Sequence, residues 1–239
     1  MDILEIVKRS IPDENEYLFG FSDLRGLIDE KYTGFEHAVT IGKKLNDDII
    51  DSIASGPTME YYNLYKETNR RLTELLSIIS NELKTYDIES IVIAPTVKTG
   101  ELGKLGLNSL TYGFSHKMAA TRAGLGWIGK SDLFVSEKFG PRLRLATLLI
   151  DSKRAFSPPS IPVDESKCGT CSLCVEKCPA GASNGRTWNI NIARDEFFNP
   201  YKCMDKCREL SRDRMNIDES ICGICVSVCP VGIRNTGIK

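Results

Sequence analysis

The sequence predicts an α+β protein that consists of two domains. Apolar patterns typical of helices and of short strands alternate through residues 2–151, whereas all nine cysteines lie further along the chain. Three prolines within residues 158–162 separate these two parts and mark the expected boundary. We therefore expect an α/β domain over residues 1–157 and a cysteine-rich domain over residues 158–239.

Each element before that boundary is predicted from a local pattern. The strongest is the spacing of three and four residues between leucines and isoleucines from Leu64 to Leu83, which is typical of an amphipathic helix. Helices are predicted over residues 2–9, 46–54, 58–86 and 115–124, the last of which ends at a glycine. Strands are predicted within residues 36–45, within residues 90–95, and as a pair within residues 132–151 joined by a turn at Phe139-Gly140-Pro141.

Composition restricts the classes of partner. The chain has 31 Lys and Arg against 32 Asp and Glu, so its net charge of -1 provides no long-range attraction for nucleic acid or for an anionic membrane. No run of about 18 apolar residues occurs, and the N-terminus resembles no secretory signal, so we expect no membrane span. We expect a cytoplasmic protein, in which closely spaced cysteines are typical of metal ligands rather than disulfides.

The first run of cysteines has a spacing that identifies its chemistry. Cys168, Cys171, Cys174 and Cys178 follow the pattern C-x2-C-x2-C-x3-C and precede Pro179. Bacterial ferredoxins use this run, in which three thiolates bind one [4Fe–4S] cluster and the fourth binds a neighbouring cluster. The pattern therefore predicts a ferredoxin-like domain with two clusters that exchange one ligand each.

The second run is incomplete. Cys222, Cys225 and Cys229-Pro230 match its end, but Glu219 stands where its first cysteine would be. A remote cysteine must then supply the missing thiolate, and the segment YKCMDKC offers two. We expect one cluster on Cys168, Cys171, Cys174 and Cys229 and the other on Cys178, Cys203, Cys222 and Cys225, with Cys207 as the alternative to Cys203.

Structural zinc is the alternative to iron, since zinc sites also use Cys-x2-Cys pairs. Zinc does not require a run of three cysteines together with two Cys-Pro endings, so the pattern favours [4Fe–4S] clusters. The reduction potentials of such clusters depend on burial and on hydrogen bonds to sulfur, and the spacing alone does not determine them.

The segment GLGWIG, residues 124–129, matches the dinucleotide pattern G-x-G-x-x-G. A dinucleotide site requires a strand before this pattern and a helix after it, whereas here a predicted helix precedes and strand-like sequence follows. The glycines could instead allow backbone to approach a flat or bulky group. From spacing alone we favour a tight helix-to-strand turn, with Trp127 and Ile128 packed in the core.

The stretch HKMAATRAGLGWIGKSDLFVSEKFGPRLRLATLLID, followed by CGTCSLCVEKCPAGA, resembles the epoxyqueuosine reductases and their shorter relatives. The resemblance implies a cobalamin-dependent reductase. An N-terminal α/β sandwich, similar to cobalamin-processing and nitroreductase-type domains, would hold a corrinoid against the ferredoxin-like domain. The resemblance assigns contact with this cofactor to Gly124, Gly126, Trp127, Ile128, Gly129 and Lys130.

Two departures from that family concern the proton donor and the substrate. An Asp-Thr-Ala-Pro-like segment of the family provides the expected proton donor, and its place here falls at about Leu110, which cannot transfer a proton. The catalytic residue is therefore unassigned, with His116 and Tyr112 as candidates. The family's C-terminal region that assists with tRNA is also missing after Cys229, so we do not expect tRNA as a partner.

Three functions follow as hypotheses. The first is a cobalamin-dependent iron–sulfur reductase that acts on an unidentified substrate. The second is a ferredoxin-like electron-transfer or adaptor protein without a corrinoid, and the third is a compact epoxyqueuosine reductase. The expected partners are an electron donor such as ferredoxin or flavodoxin, and either a small-molecule substrate or a corrinoid protein.

Overall fold

The computed structural model describes residues 2–96, 110, 113–153 and 160–232. The chain forms two compact units, which we call the sheet unit and the cysteine unit. The sheet unit comprises Met1–Lys44, Glu67–Leu125 and Arg144–Val163, and the cysteine unit comprises Leu45–Lys66, Gly126–Leu143 and Asp164–Lys239. Because two segments from the first 157 residues belong to the cysteine unit, a single boundary at residue 157 does not coincide with this division.

The sheet unit is built on a four-stranded sheet. Its strands, in spatial order, are β1 (Tyr17–Asp23), β2 (His37–Lys44), β6 (Leu143–Ile150) and β3 (Ser90–Ile93). β1 and β2 are antiparallel, and so are β3 and β6. The strands expected within residues 36–45 and 90–95 are confirmed, whereas β1 has no counterpart in the prediction.

Four helices occur before residue 126 in the described part of the chain, and each lies within a predicted range or within one residue of it. They are α1 (Ile3–Ser10), α2 (Asp47–Asp51), α3 (Met59–Lys84) and α4 (His116–Arg122). Side-chain caps fix where some of them begin: the Asp2 carboxylate accepts a hydrogen bond from the Leu4 N–H at 3.0 Å, and the Ser115 hydroxyl accepts one from the Met118 N–H at 3.2 Å.

The apolar face of α3 forms the centre of the sheet unit's core. Leu72, Leu76, Ile79 and Leu83 recur at three- and four-residue spacing and are completely buried. They share one hydrophobic cluster with residues of α1 and of the strands, including Ile6, Val39, Ile41 and Leu148. Each such burial stabilises the fold by roughly 1.5–3 kcal/mol, so apolar packing is sufficient to explain this unit.

Most elements of the cysteine unit are short. Besides α2 and the first part of α3, it contains β4 (Gly126–Ile128), β5 (Phe134–Ser136), α5 (Leu173–Glu176), the longer α6 (Pro200–Met215) and α7 (Ile224–Ser227). β4 and β5 form a two-stranded antiparallel sheet. A small apolar cluster that includes Ile50, Ile53, Tyr61, Ile221 and Val226 packs beside the second cysteine run.

The strand pair predicted within residues 132–151 is corrected in one respect. Both strands exist, and Gly140 in the predicted turn has a positive φ of 56°. However, the two strands do not pair with each other, because β5 pairs with β4 and β6 belongs to the four-stranded sheet.

Within the described ranges, none of the helices has the length and apolar character needed to cross a bilayer.

Candidate metal centre

The first cysteine run forms a loop followed by the short helix α5. The Cys171 N–H donates to the Cys168 carbonyl at 3.2 Å, which curls the loop so that Cys174 follows on the helix. Cys171 is exposed and the other three cysteines of the run are partly buried. Burial, with a further contribution from the Cys168 thiol, raises the pKa of Cys174. The run thus presents several thiols along one short stretch at the surface of the unit.

The second run is more deeply enclosed. Gly223 has a φ of 88° and precedes α7, and a Cβ at its position would lie 2.3 Å from a side-chain carbon of Ile53. Burial raises the pKa of Cys225 well above its usual value, and the thiols that raise it further are those of Cys222, Cys203, Cys174 and Cys178. This thiol therefore lies among sulfurs from all three cysteine-bearing segments.

Cys229 lies close to the first run rather than to its own. Burial raises the pKa of Cys229 to about 11, and the neighbouring thiols that contribute are those of Cys168, Cys174 and Cys171. The fold thus brings the last cysteine of the second run to the first three cysteines of the other run. The exchange of ligands that the ferredoxin-like spacing predicts requires this proximity, and the ligand sets themselves stay a prediction.

Cys203 and Cys207 lie one turn apart on α6, with their Sγ atoms 3.9 Å apart. Hydrogen bonding with the Cys207 thiol lowers the pKa of Cys203 and lowers that of Cys222 to about 7, and the same contacts raise the pKa of Cys207 itself. Because a thiol has a single hydrogen, only one of the two sulfurs accepts it at a time. Both α6 cysteines are therefore near Cys222, and the choice of ligand between them stays a prediction.

The donor set fits an iron–sulfur cluster better than a single ion. Across the described ranges, no group of three His, Cys, Asp or Glu side chains is arranged to hold one metal ion. A tetrahedral zinc site places its sulfurs about 2.3 Å from one point, whereas the thiolates of a [4Fe–4S] cluster bind separate irons at the corners of a cube. Thiols from both cysteine runs and from α6 that act on one another's pKa provide enough sulfur ligands for the second arrangement.

The segment around β4 and β5 supports the first cysteine run. The Lys130 ammonium donates to the carbonyls of Gly169 and Cys171, both at 2.9 Å. The Lys130 carbonyl in turn accepts a hydrogen bond from the Ser183 hydroxyl. A Cβ at Gly129 would lie 3.6 Å from the Cys168 Sγ, so the backbone of this segment passes directly beside the first thiol.

The same segment supports the second run at its other end. A Cβ at Gly140 would lie 1.8 Å from the carbonyl oxygen of Val231, two residues after Cys229. Arg142, which is completely buried, donates to the Ser227 carbonyl at 3.2 Å and forms an ion pair with Asp51 at 2.6 Å. Sequence reasoning missed Arg142, because an arginine next to a predicted strand gives no signal of burial.

The glycine-rich turn allows close contact with protein backbone. A Cβ at Gly124 would lie 2.7 Å from the Ile161 carbonyl oxygen, and one at Gly126 would lie 2.1 Å from the Val135 carbonyl oxygen. These distances agree with the predicted tight turn between helix and strand. Contact of either glycine with a corrinoid stays a prediction of the resemblance.

Trp127 and Ile128 are buried in β4, as the tight-turn interpretation predicts. The Lys167 ammonium lies 5.7 Å from the centre of a Trp127 ring. The Trp127 indole N–H is buried and has no hydrogen-bond partner among the described residues. A buried donor of this kind is costly unless an acceptor is supplied.

His116, one of the two catalytic candidates, is engaged on both ring nitrogens. Its Nε2 lies 2.9 Å from the Ala94 carbonyl oxygen, and its Nδ1 lies 2.9 Å from the Thr147 hydroxyl. Since a carbonyl only accepts, Nε2 carries the hydrogen and Nδ1 accepts from Thr147. Burial lowers the pKa of His116 to about 4, so the ring is neutral near pH 7. Tyr112, the other candidate, lies outside the described residues.

Comparison with known proteins agrees with the iron–sulfur interpretation. A family model described as a 4Fe-4S double cluster binding domain matches residues 167–232. An epoxyqueuosine reductase from Bacillus anthracis is 30% identical over 174 residues, which cover 70% of this chain and 37% of that protein. Another, from Listeria monocytogenes, is 26% identical over 211 residues, which cover 83% of this chain and 54% of that protein. The chain thus spans about a third to a half of these curated relatives.

Solved structures show the same fold. A reductive dehalogenase, reported with a mechanism for B12-dependent dehalogenation, superposes with a TM-score of 0.66 at 16% identity, covering 89% of this chain and 29% of that one. An epoxyqueuosine reductase bound to a modified tRNA stem loop superposes with a TM-score of 0.59 at 18% identity, covering 96% of this chain and 64% of that one. The expected fold class and the resemblance to epoxyqueuosine reductases are therefore confirmed.

Proposed function

We propose that the chain is a cobalamin-dependent iron–sulfur reductase, which passes electrons from two [4Fe–4S] clusters to a corrinoid and then to a substrate. The observation that carries the proposal is the gathering of thiols from two distant runs in a chain whose fold matches a B12-dependent dehalogenase and an epoxyqueuosine reductase. A corrinoid supplies cobalt chemistry that no amino-acid side chain offers.

The proposed ligand sets follow from which thiols are neighbours. One cluster is assigned to Cys229 and the first three cysteines of the first run, because these three thiols contribute to the raised pKa of Cys229. The other is assigned to Cys178, Cys222, Cys225 and Cys203. We assign Cys203 as the fourth ligand, because its thiol is among those that contribute to the raised pKa of Cys225, and Cys207 is the alternative.

This chain's own residues would hold the loops that carry the cluster ligands. Lys130 and Gly129 fix the loop of the first run, and Arg142 fixes the carbonyl end of α7. A bound corrinoid would supply the acceptor that the buried Trp127 indole N–H lacks, since the amide side chains of that cofactor carry carbonyl oxygens. We do not assign the proton donor to His116, whose hydrogen already goes to the Ala94 carbonyl.

An inventory of anaerobically purified protein tests this proposal. We expect about eight irons and about eight sulfides per chain and, after reconstitution with cobalamin and desalting, about one corrinoid per chain, as measured by metal analysis and a visible spectrum. A colourless protein that contains zinc would contradict the iron–sulfur assignment. Full iron content with loss of all cobalt on the column would instead support the electron-transfer protein without a corrinoid.

A matched pair of variants tests the assignment on α6. Cys203→Ser should lose about four irons per chain, because it removes a ligand, whereas Cys207→Ser should lose none. The two thiols lie one helical turn apart, so each variant controls for the disturbance that the other causes. The reverse result would exchange the two roles, and equal iron loss in both would show that α6 rearranges around the cluster.

A compact epoxyqueuosine reductase is the second candidate function. It is favoured because the curated relatives described above are epoxyqueuosine reductases and because one structural relative is bound to a tRNA stem loop. Expression of this chain in a cell that lacks the reductase should then restore queuosine in tRNA, measured by nucleoside mass spectrometry. No restoration by protein that carries its clusters would leave the reductase of another substrate as the better assignment.

A further inference from the structure

Two lysines lie beside the first cysteine run, and they differ sharply in exposure. Lys130 is only 7% exposed, and its ammonium donates to the Gly169 and Cys171 carbonyls at 2.9 Å. Lys167 immediately precedes Cys168, its side chain is 55% exposed, and its ammonium pairs with Glu137. The chain therefore places one buried and one exposed positive charge near the same loop.

We infer that Lys130 is a positioning residue which holds the loop from Cys168 to Cys171 and raises the reduction potential of the cluster bound by the first run. The inference rests on the proposed clusters and deepens that proposal, because it assigns a residue that sets the energy of one electron-accepting step. Neither the spacing of the cysteines nor the resemblance assigns this role to Lys130.

The position of the ammonium is fixed from several directions. Its two hydrogen bonds go to carbonyls on both sides of Thr170, and the Lys130 backbone is held by the Ser183 hydroxyl. The preceding residue, Gly129, lies against the Cys168 thiol. A side chain of this kind cannot swing into water without breaking two hydrogen bonds, so its charge stays beside the loop.

The sign of the effect follows from electrostatics. A cluster that accepts one electron becomes more negative by one unit, and a nearby positive charge stabilises this reduced form. Water and salt screen an exposed charge, whereas a buried charge is screened much less. Lys130 should therefore raise the potential of the first cluster, and Lys167 should change it little despite its place next to Cys168.

The test compares Lys130→Gln with Lys167→Gln in protein reconstituted anaerobically with its clusters. An electrode supplies the electrons, and electron paramagnetic resonance follows the midpoint potential of each cluster. In Lys130→Gln, one midpoint should become more negative, so that at a fixed ambient potential the ratio of reduced to oxidised cluster falls about tenfold, or about 59 mV for one electron. The other midpoint, and both midpoints of Lys167→Gln, should stay close to wild type.

Iron content separates this inference from the proposed function. Lys130→Gln with full iron and an unchanged midpoint would overturn the inference and leave the clusters established. An equal shift in Lys167→Gln would also overturn it, because burial would then be irrelevant. Loss of about half the iron in Lys130→Gln but not in Lys130→Arg would support a requirement for the buried charge, whereas loss in both would overturn the electrostatic role. Wild-type protein without iron would instead refute the proposed function.

Discussion

The sheet unit and the cysteine unit achieve order by different means. In the sheet unit, the part of α3 from Glu67 onward buries an apolar face in a cluster shared with four strands, and strand pairing satisfies the backbone. In the cysteine unit, two helices have four residues each and both strands have three. There, single side chains such as Lys130 and Arg142 donate to loop carbonyls in place of regular pairing.

This difference indicates that the two units depend on metal to different extents. Helices much shorter than about 12 residues are marginal without tertiary support. Metal binding is coupled to folding where the ligands come from distant parts of the chain, because a preformed site rarely exists in the unfolded state. The sheet unit contains no cysteine, so its stability should not depend on iron.

Removal of both clusters should produce the largest effect. In the apo protein, we expect the backbone amides of α5 and α7 to lose their protection from hydrogen exchange, with opening free energies of roughly 0 kcal/mol. The amides from Leu72 to Leu83 should keep their protection. Hydrogen-exchange mass spectrometry of the holo and apo forms measures both regions in one experiment. Equal loss of protection in the two regions would show that the sheet unit also depends on iron.

Truncation of the sheet unit's core should give the next largest effect. Leu76 is completely buried on α3, so Leu76→Ala should lower the free energy of unfolding by about 2–5 kcal/mol without loss of iron. Ile78 lies on the opposite, exposed side of the same helix, and Ile78→Ala should change stability by less than about 0.5 kcal/mol. Denaturant unfolding and iron analysis of both variants check these expectations. Iron loss in Leu76→Ala would show that cluster binding depends on the packing of the sheet unit.

Two glycines with the same backbone conformation allow two effects of an alanine substitution in the cysteine unit to be compared, namely backbone strain and steric overlap with a neighbouring atom. Gly140 and Gly169 have φ values of 56° and 53°, but only Gly140 faces a backbone atom, the Val231 carbonyl oxygen. Both alanine variants incur the strain of a left-handed conformation, about 1–2 kcal/mol. Gly140→Ala should destabilise the protein by about 1–3 kcal/mol more and release iron faster.

Anaerobic denaturant unfolding and the rate of iron release to a chelator measure the difference between these two variants. Equal destabilisation would mean that the loop after Cys229 moves freely away from Gly140. The segment around β4 and β5 would then not be a support of the second cysteine run.

Sequence patterns predicted the two units unequally. The period of α3 and the apolar run of β3 are local signals, and both elements formed where expected. β1 was missed because Tyr17–Asp23 is buried on both faces along part of its length and so shows no alternation. α6 was missed because few of its residues are apolar, and a capping Asn199 followed by Pro200 marks its start instead.

The chemistry of the cysteine unit was easier to predict than its architecture. Cysteine spacing indicates clusters because the ligand geometry is local to each run. The support that β4 and β5 give to both runs depends on contacts between residues far apart in sequence, such as Lys130 with Gly169 and Gly140 with Val231. No local pattern specifies such contacts, so the sequence did not indicate that this segment shares a compact unit with the cysteines.

A pH dependence of stability is also predicted, and it belongs to the sheet unit. The pKa of His116 falls from 6.5 to about 4 on folding, because burial disfavours the charged ring. As pH falls from 6.5 towards 4, the unfolded chain binds a proton that the folded chain does not, so stability decreases through this window and is unaffected above it. The contribution is at most about 3 kcal/mol.

Anaerobic denaturant unfolding between pH 5 and pH 7 measures this dependence, and His116→Gln should show a shallower slope than wild type. His37→Gln is the matched control. Burial also lowers the pKa of His37, but the charge of Asp23 opposes that shift, so the slope should change less. An unchanged slope in His116→Gln would mean that the His116 ring reaches water in the folded state. The ring would then be available for proton transfer, and His116 would return as a catalytic candidate in the unit that contains no cysteine.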